Sequence, residues 1–219
     1  MKIKICGMRE SDNIEAVAQY APDYMGFIFF KNSSRYVSSL NIKLLQSLPK
    51  NLNKTGVFVD ERIELVLETV NQYDLQAVQL HGQESVSYCE HLRKMNSKIQ
   101  IIKAFAIFEN FNFIQLEAYL PVCDFFLFDT GGKLNGGNGF AFEWEILEEY
   151  TLPKPFWLSG GLDSLEAERL VQSGLKLPFL YGLDGNSRLE IEPGLKDPIK
   201  VASFIKLRNK LSAWKLNTI

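Results

Sequence analysis

Eight short apolar runs recur along this chain of 219 residues and predict a (β/α)8 barrel, a single domain spanning residues 1–219. The runs begin roughly 21–31 residues apart, about the length of one strand and its following helix. Several are apolar throughout, which is typical of parallel strands buried on both faces. The alternative is an open doubly wound sheet. That fold usually has fewer strands and often carries a glycine fingerprint after the first strand, which this chain lacks.

The predicted strands follow one another from the alternating run KIKIC to the run PFLYGLD near the end of the chain. They are residues 2–6, 24–30, 55–59, 76–80, 99–105, 123–129, 154–159 and 178–184.

Helix signals lie in the segments between these strands. Asp163 and Asp197 are of the type that caps a helix, and Gly174 is a stop signal. The clearest predicted helices are residues 11–20, 60–70, 163–173 and 197–211. The glycine-rich stretch 131–139 is instead predicted to be a loop, and we expect it to act as a mobile lid over a bound ligand.

Composition excludes several classes of protein. The chain is 46% hydrophobic and 23% charged with a formal net charge of −2, and it has no basic block that would indicate nucleic-acid binding. It has no apolar stretch of the ~18 residues that a membrane helix needs, and its N-terminus does not resemble a signal peptide. Three widely separated cysteines predict no disulfide framework and favour the cytoplasm. Without CxxC motifs or paired histidines, we expect no metal site.

In a (β/α)8 barrel the active site forms at the carboxyl ends of the strands. Candidate functional residues are therefore the polar and glycine residues that stand where the predicted strands end. They are Cys6 after the first strand, Arg35 after the second, His81 after the fourth, Asp129 at the end of the sixth, Gly160 and Gly161 after the seventh, and Asp184, Asn186 and Ser187 at the end of the eighth.

The last two of these strand ends form a pattern suited to phosphate. Gly160 and Gly161 bring unhindered backbone N–H groups to one loop, and the segment Asp184–Ser187 does so in the next. Loops seven and eight of this fold often hold phosphate through backbone amides. A single glycine pair is usually only a turn, but two such loops on adjacent strands indicate a phosphate site.

Cys6 and Asp129 could face each other across the barrel mouth. A thiolate can accept a proton from carbon, and a carboxylic acid can donate one to a leaving oxygen, so the two form a base and acid pair. An ordinary thiol has a pKa near ~8.5, so Cys6 needs a lowered pKa to act at neutral pH. Arg35 is suited to a substrate carboxylate, which guanidinium binds bidentately.

Each of these residues also has a purely structural interpretation. Cys6 could fill the core, as buried cysteine commonly does. Asp129 could cap its loop, and Arg35 could be a solvated charge. His81 is more typical of a supporting or core histidine than of a catalytic one.

The motifs, taken in order, resemble the phosphoribosylanthranilate isomerase family of tryptophan biosynthesis over nearly the whole chain. Singly they are weak, but together and in register with the strands they are specific. They are KICGM (4–8), GFIFFKNSSRYVS (26–38), GVFVD (56–60), VQLHGQE (78–84), FDT (128–130), GGNGFAFEW (136–144), LSGGLD (158–163) and IEPGLKD (191–197).

This resemblance implies an Amadori rearrangement of N-(5-phosphoribosyl)anthranilate to 1-(2-carboxyphenylamino)-1-deoxyribulose 5-phosphate, without metal or organic cofactor. It implies that Asp129 is the general acid that protonates the ring oxygen and that Cys6 is the general base that takes the C2 proton. Arg35 is implied to bind the anthranilate carboxylate. Backbone groups around Gly160, Gly161, Asn186 and Ser187 are implied to bind the phosphate. The resemblance leaves open whether the chain is a monomer or a homodimer.

Some positions depart from the family pattern. Asn138 stands where a small hydroxyl residue is common, and Glu143 where aspartate is usual. Asn186 and Arg188 replace the usual serine and glycine of the last loop. Arg188 matters most, because near a phosphate loop it either adds a charged contact or points to solvent.

Two other functions remain as alternatives. One is a different phosphosugar barrel enzyme, either an epimerase or indole-glycerol-phosphate synthase. An epimerase needs metal ligands at the rim, and the synthase needs a catalytic lysine, for which Lys103 is the candidate. The other is a non-catalytic phosphate-binding barrel. Formation of product by the pure protein separates the isomerase from that last alternative.

Overall fold

A computed structural model describes residues 1–130 and 144–217. Its eight strands pair in parallel in chain order, and the last pairs with the first, which closes the barrel and confirms the predicted fold. The strands are β1 (Lys2–Ile5), β2 (Tyr24–Ile28), β3 (Asn53–Phe58), β4 (Ala77–Leu80), β5 (Gln100–Ala106), β6 (Phe125–Asp129), β7 (Phe156–Ser159) and β8 (Leu180–Gly185).

Helices surround the barrel. The Asp163 and Asp197 side chains accept hydrogen bonds from first-turn amides, so both predicted caps are confirmed. Each satisfies backbone donors that have no partner within the helix. The α-helices are α1 (Ser11–Ala18), α2 (Ile42–Ser47), α3 (Ile63–Tyr73), α4 (Val86–Met95), α5 (Ser164–Gln172), α6 (Pro198–Lys206) and α7 (Arg208–Asn217).

Two hydrophobic layers hold the structure together. A large outer cluster fills the space between the strands and the helices. A smaller one fills the barrel, where the Trp157 and Tyr24 rings meet edge to face with centroids 4.9 Å apart. Its other members are Ala77, Ile102, Ala104 and Leu127. The barrel is therefore a packed core, and ligands have access only at its ends.

Three features differ from the predicted secondary structure. Phe113–Tyr119, after β5, and Trp144–Glu149, before β7, are 3-10 helices. The segment 197–211, predicted as one helix, is divided at Leu207 into α6 and α7. A hairpin of β9 (Glu190–Glu192) and β10 (Leu195–Lys196), which was not predicted, follows β8.

The glycine-rich stretch 131–139, which is the proposed lid, falls outside the described residues. Asn138 and Glu143, two of the departures from the family pattern, also lie outside them. Among the helices of the described ranges, none combines the length and apolar character needed to span a membrane.

Candidate active site

The structure brings the predicted site residues to one end of the barrel. Cys6 directly follows β1, His81 directly follows β4, and Asp129 ends β6. Asp184 lies near the end of β8. Because the strands are parallel and these four residues stand at or near their carboxyl ends, the four lie at the same mouth of the barrel.

Cys6 is held tightly where β1 ends. Its backbone N–H donates to the Gly185 carbonyl at 2.9 Å, and only 3% of the residue is exposed. Gly26 on β2 leaves room for its sulfur, because a Cβ at that position would lie 2.6 Å from Cys6 Sγ. Gly7 then turns the chain away with a φ of +73°, a conformation that glycine adopts without strain.

Lys4 and Asp184 form a buried ion pair just below Cys6. The Lys4 Nζ lies 2.9 Å from Asp184 Oδ2, and the side chains are 0% and 3% exposed. Burial raises the pKa of the Asp184 carboxyl against the opposing effect of Lys4, and the charge of Asp129 adds a smaller rise. Burial also raises the pKa of the Cys6 thiol above its usual value, which is opposite to the lowered pKa that the sequence analysis required of a base. The Lys4 ammonium is the strongest influence in the other direction.

His81 contacts the proposed acid. Its Nε2 lies 3.3 Å from Asp129 Oδ2, and both side chains are about one-third exposed. On the other side of the ring, Gln79 Nε2 lies 2.8 Å from His81 Nδ1. Gln79 thus contacts one ring nitrogen of His81 and Asp129 contacts the other. The structure therefore places His81, a candidate functional residue, as a direct neighbour of Asp129.

Arg35 lies in the loop after β2 and is clamped by Glu190. Its Nε donates to Glu190 Oε1 at 2.8 Å, and its Nη2 donates to Oε2 at 2.6 Å. The fully buried Lys196 donates to the same Oε1 at 2.7 Å and to Asn186 Oδ1 at 2.7 Å. Two nitrogens of Arg35 are thus engaged by protein, and Nη1 makes only a long 3.5 Å contact with Ser34.

The glycine loops after β7 and β8 lie side by side with a cation between them. Gly160 and Gly161 have φ of +106° and +65°. The Nε of Arg188 is 3.6 Å from where a Cβ on Gly161 would lie. Its guanidinium is 3.8 Å from Asp163, and 57% of the side chain is exposed. Arg188 therefore extends across the loop of β7, and Ser187 begins the short 3-10 helix Ser187–Leu189 beside it.

Lys103, the candidate for a synthase lysine, lies outside the barrel interior. Its strand neighbours Ile102 and Ala104 belong to the inner cluster, so alternation turns Lys103 outward. There its Nζ pairs with Glu84 at 3.0 Å and donates to the Gly82 carbonyl at 2.8 Å. Because both side chains are buried, Lys103 supports the loop after β4 and does not reach the mouth.

Sequence reasoning missed three charged residues that support the site: Lys4, Glu190 and Lys196. Lys4 had a readable signal, because residues two apart on a strand share a face, which puts Lys4 under Cys6. Glu190 and Lys196 had none, since their contacts depend on a hairpin that no pattern indicated. Among residues 1–130 and 144–217, no cluster of three or more His, Cys, Asp or Glu could hold a metal ion.

Comparison with known proteins agrees with this geometry. The model of the family N-(5'-phosphoribosyl)anthranilate (PRA) isomerase matches residues 3–207. The isomerase of that name from Phocaeicola vulgatus is 41% identical over 212 residues, which cover 96% of this chain and all of the relative. The one from Parabacteroides distasonis is also 41% identical, over 94% of this chain and 92% of the relative.

Solved structures agree as well. Phosphoribosylanthranilate isomerase from Thermotoga maritima superposes with a TM-score of 0.83 at 28% identity, over 96% of this chain and 99% of the other. Another was solved in complex with reduced 1-(o-carboxyphenylamino)-1-deoxyribulose 5-phosphate. It has a TM-score of 0.78 at 25% identity, over 96% and 99% of the two chains. A third, of monomers generated from the dimeric Thermotoga maritima enzyme, has a TM-score of 0.71 at 26% identity over 94% and 97%.

Fold, site and relatives together define an enzyme of the sugar-phosphate isomerase class built on a (β/α)8 barrel. Within that class, the chain belongs to the phosphoribosylanthranilate isomerase family, whose reaction is a step of tryptophan biosynthesis.

Proposed function

We propose that the residues of this mouth carry out the Amadori rearrangement of N-(5'-phosphoribosyl)anthranilate, with Asp129 as general acid and Cys6 as general base. The observation that carries the proposal is their placement. Cys6 directly follows β1 and Asp129 ends β6, at the same rim of a closed barrel, and both Cys6 and Asp129 interact electrostatically with Asp184.

The acid step opens the sugar ring. Asp129 gives its proton to the ring oxygen, the C1–O bond breaks, and an iminium forms between C1 and the anthranilate nitrogen. His81 Nε2, 3.3 Å from the carboxyl, holds Asp129 in place and stabilises the carboxylate that the transfer leaves behind.

The base step completes the rearrangement. The Cys6 thiolate takes the proton from C2, and that electron pair forms the C1–C2 double bond while the iminium nitrogen becomes neutral. The resulting enolamine then tautomerises to the ketone. No oxidant or reductant is consumed, because C1 of the substrate is reduced as C2 is oxidised. The proton that Cys6 gains balances the one that Asp129 gives up, and exchange with solvent restores both groups for the next turnover.

Charged groups at both ends of the substrate fix its orientation. Arg35 presents Nη1 to the anthranilate carboxylate, while Glu190 holds its other nitrogens. At the opposite end, backbone groups of Gly160, Gly161, Asn186 and Ser187 bind the phosphate. A site fixed at both ends keeps C2 within reach of Cys6, and such positioning contributes a large part of enzymatic rate enhancement.

The proposal extends to assembly and location. We place the enzyme in the cytoplasm, where its three buried free cysteines remain reduced. It acts as a monomer or a homodimer, and sedimentation of the pure protein distinguishes the two states.

The test uses the fluorescence of phosphoribosylanthranilate generated in the cuvette. We expect the wild type to consume it, and Cys6→Ser and Asp129→Asn each to lose at least ~10²-fold in kcat. Matched controls are Cys89→Ser, a buried thiol on α4, and Asp23→Asn, which pairs with Lys2 at the other end of the barrel.

These controls separate chemistry from folding. Folded Cys6→Ser or Asp129→Asn protein that retains activity similar to its control would reject that residue's role. A folded wild type that binds phosphate but leaves the substrate unchanged would reject the reaction itself.

A further inference from the structure

Lys4 is a lysine buried inside the barrel directly beneath the proposed base. Strand register pairs it with Asp184 across the seam between β1 and β8, and pairs Ile5 with Gly185. Cys6 continues this register, since its N–H donates to the Gly185 carbonyl. Because Lys4 and Cys6 are two residues apart on one strand, their side chains point the same way.

The burial of this charge is costly and calls for an explanation. Taking two charges out of water costs several kcal/mol per ion, and well-packed apolar residues often replace such pairs without loss of stability. Closure of the barrel alone therefore does not require a lysine here. The second carboxylate oxygen, Asp184 Oδ1, is buried and has no hydrogen-bond partner among the described residues. A buried ion pair in which one carboxylate oxygen has no hydrogen bond, placed beside the proposed base, is typical of a functional site.

Lys4 has two polar neighbours on its side of the barrel. Its ammonium pairs with Asp184 at 2.9 Å, and Cys6 lies two residues further along the same face of the chain. Burial by itself would lower the pKa of Lys4, but Asp184 and Cys6 outweigh it and raise that pKa. The ammonium therefore remains charged at neutral pH, and a fixed positive charge close to a sulfur stabilises its thiolate.

The other charges that face Cys6 compete with this effect or are occupied elsewhere. Asp184 disfavours the thiolate. Lys196 and Arg35 also face Cys6, but both hydrogen-bond the Glu190 carboxylate, which offsets their charge. Asp129 and His81 act on the pair through Asp184. Lys4 is the cation that favours the thiolate most strongly.

We propose that Lys4 is the positioning residue that makes Cys6 a base: held by Asp184, its ammonium stabilises the Cys6 thiolate. The inference rests on the proposed function in taking Cys6 as the base. During the reaction the thiolate accepts the C2 proton and becomes a neutral thiol, while Lys4 keeps its protons throughout.

The experiment measures Cys6 ionisation directly. Cys6 is alkylated with iodoacetamide across a range of pH, and the modified peptide is quantified by mass spectrometry apart from those of Cys89 and Cys123. In Lys4→Met we expect the midpoint of the curve of Cys6 alkylation rate against pH to rise by at least one pH unit. That rise corresponds to ~10-fold slower alkylation at any pH below the wild-type midpoint. The acid limb of kcat/KM is expected to move by the same amount.

Two further variants keep this test decisive. Lys54→Met removes another buried lysine, which lies at the start of β3 and pairs with Asp74. This variant is expected to leave the midpoint of Cys6 alkylation unchanged. If Lys4→Met does not fold, Lys4→Met/Asp184→Asn removes both charges. It is scored by alkylation alone, with a smaller rise expected because Lys4 outweighs Asp184 at the thiol.

The outcomes are distinct. A folded Lys4 variant whose alkylation profile matches that of the wild type would overturn the proposal, whatever its activity. A shifted profile supports it. An active Cys6→Ser enzyme would instead reject the base role of Cys6, and the alkylation profile would still report what Lys4 does to the thiol.

Discussion

At the residue scale, Glu190 already holds Arg35, the proposed partner of the anthranilate carboxylate, in one orientation. A guanidinium has five donors in a rigid fork, and Glu190 engages the Nε and Nη2 sides with bonds of 2.6–3.0 Å. A long side chain that would otherwise sample several rotamers is held in one. The entropy of ordering it is then lost on folding instead of on binding.

We expect Glu190→Gln to raise KM by about 10-fold while kcat changes little, because a neutral amide loses the charge-assisted hold on Arg35. Steady-state kinetics with the fluorescent substrate measures both constants. Glu192→Gln, an exposed glutamate of the same hairpin, is the matched control. Equal KM values in the two variants would show that the clamp does not act on binding.

Arg188 replaces the glycine usual in the family and lies beside Gly161. We expect Arg188→Gln to raise KM and to weaken inhibition by inorganic phosphate several-fold, since a cation near the phosphate loops is lost. Stability should stay within about 0.5 kcal/mol, as for most exposed substitutions. Arg169→Gln on α5, which is similarly exposed, is the control. Phosphate inhibition unchanged in Arg188→Gln would mean that the side chain serves only Asp163.

At the element scale, Gly26 on β2 faces the thiol of Cys6, which follows β1. An alanine Cβ at position 26 would lie 2.6 Å from Cys6 Sγ, so the sulfur or the strand must move. We expect Gly26→Ala to cost about 1–3 kcal/mol from overpacking and to lower kcat at least ~10-fold, because small displacements impair proton transfer.

The control is Gly56→Ala on β3, whose Cβ would meet Phe58 and Leu75 instead. It should destabilise the fold by a similar amount in urea unfolding without the same loss of kcat. Comparable kcat in the two variants would show that the space at Gly26 serves packing alone.

The elements were predictable to the extent that their signals are local. All eight strands were foreseen within about two residues of their ends, because buried parallel strands are continuously apolar. The short 3-10 helices, the break at Leu207 and the β9–β10 hairpin were not. Each depends on packing against the rest of the barrel, where tertiary contacts override local preference.

Within the site, the strand ends predicted where the candidate residues lie, but not which side chains support them. Cys6, His81, Asp129 and Asp184 could be proposed because this fold places functional residues at the carboxyl ends of its strands. Their roles stay predictions. The partner of Arg35 could not, since Glu190 lies 155 residues away and only the folded chain brings the two together.

At the scale of the whole molecule, two groups of buried charges join distant parts of the chain. The first is the ion pair of Lys4 and Asp184 across the closing seam. The second pairs Glu190 both with Arg35, in the loop after β2, and with Lys196 on β10. Removing one member of such a pair typically costs about 3–5 kcal/mol, because the other charge is left buried alone.

The second group, centred on Glu190, makes the free energy of unfolding depend on pH below neutrality. Burial by itself would raise the pKa of Glu190, but hydrogen bonds from Arg35 and Lys196 outweigh it and lower that pKa below the ordinary 4.5. A carboxylate with a lowered pKa stabilises the fold above its unfolded value and loses that contribution as the pH falls through the folded one.

We therefore expect the stability of the wild type to fall more steeply below pH ~4.5 than that of Glu190→Gln, which has no carboxylate to protonate. Urea unfolding between pH 7 and pH 3 measures the difference. The two proteins should differ most at pH 7 and converge in acid. Parallel curves over the whole range would assign the acid loss to other carboxylates.

The pairing of β1 with β8 also determines at what point in synthesis the surroundings of Cys6 become complete. Lys4 and Asp184 are 180 residues apart, and the strand that carries Asp184 is the last of the barrel to leave the ribosome. Until it arrives, a nascent chain holds the Cys6 thiol without its carboxylate neighbour and without the carbonyl of Gly185. On the proposed mechanism, a chain that ends before β8 lacks the surroundings of Cys6 that the reaction requires. We therefore expect activity only from chains in which β8 is complete.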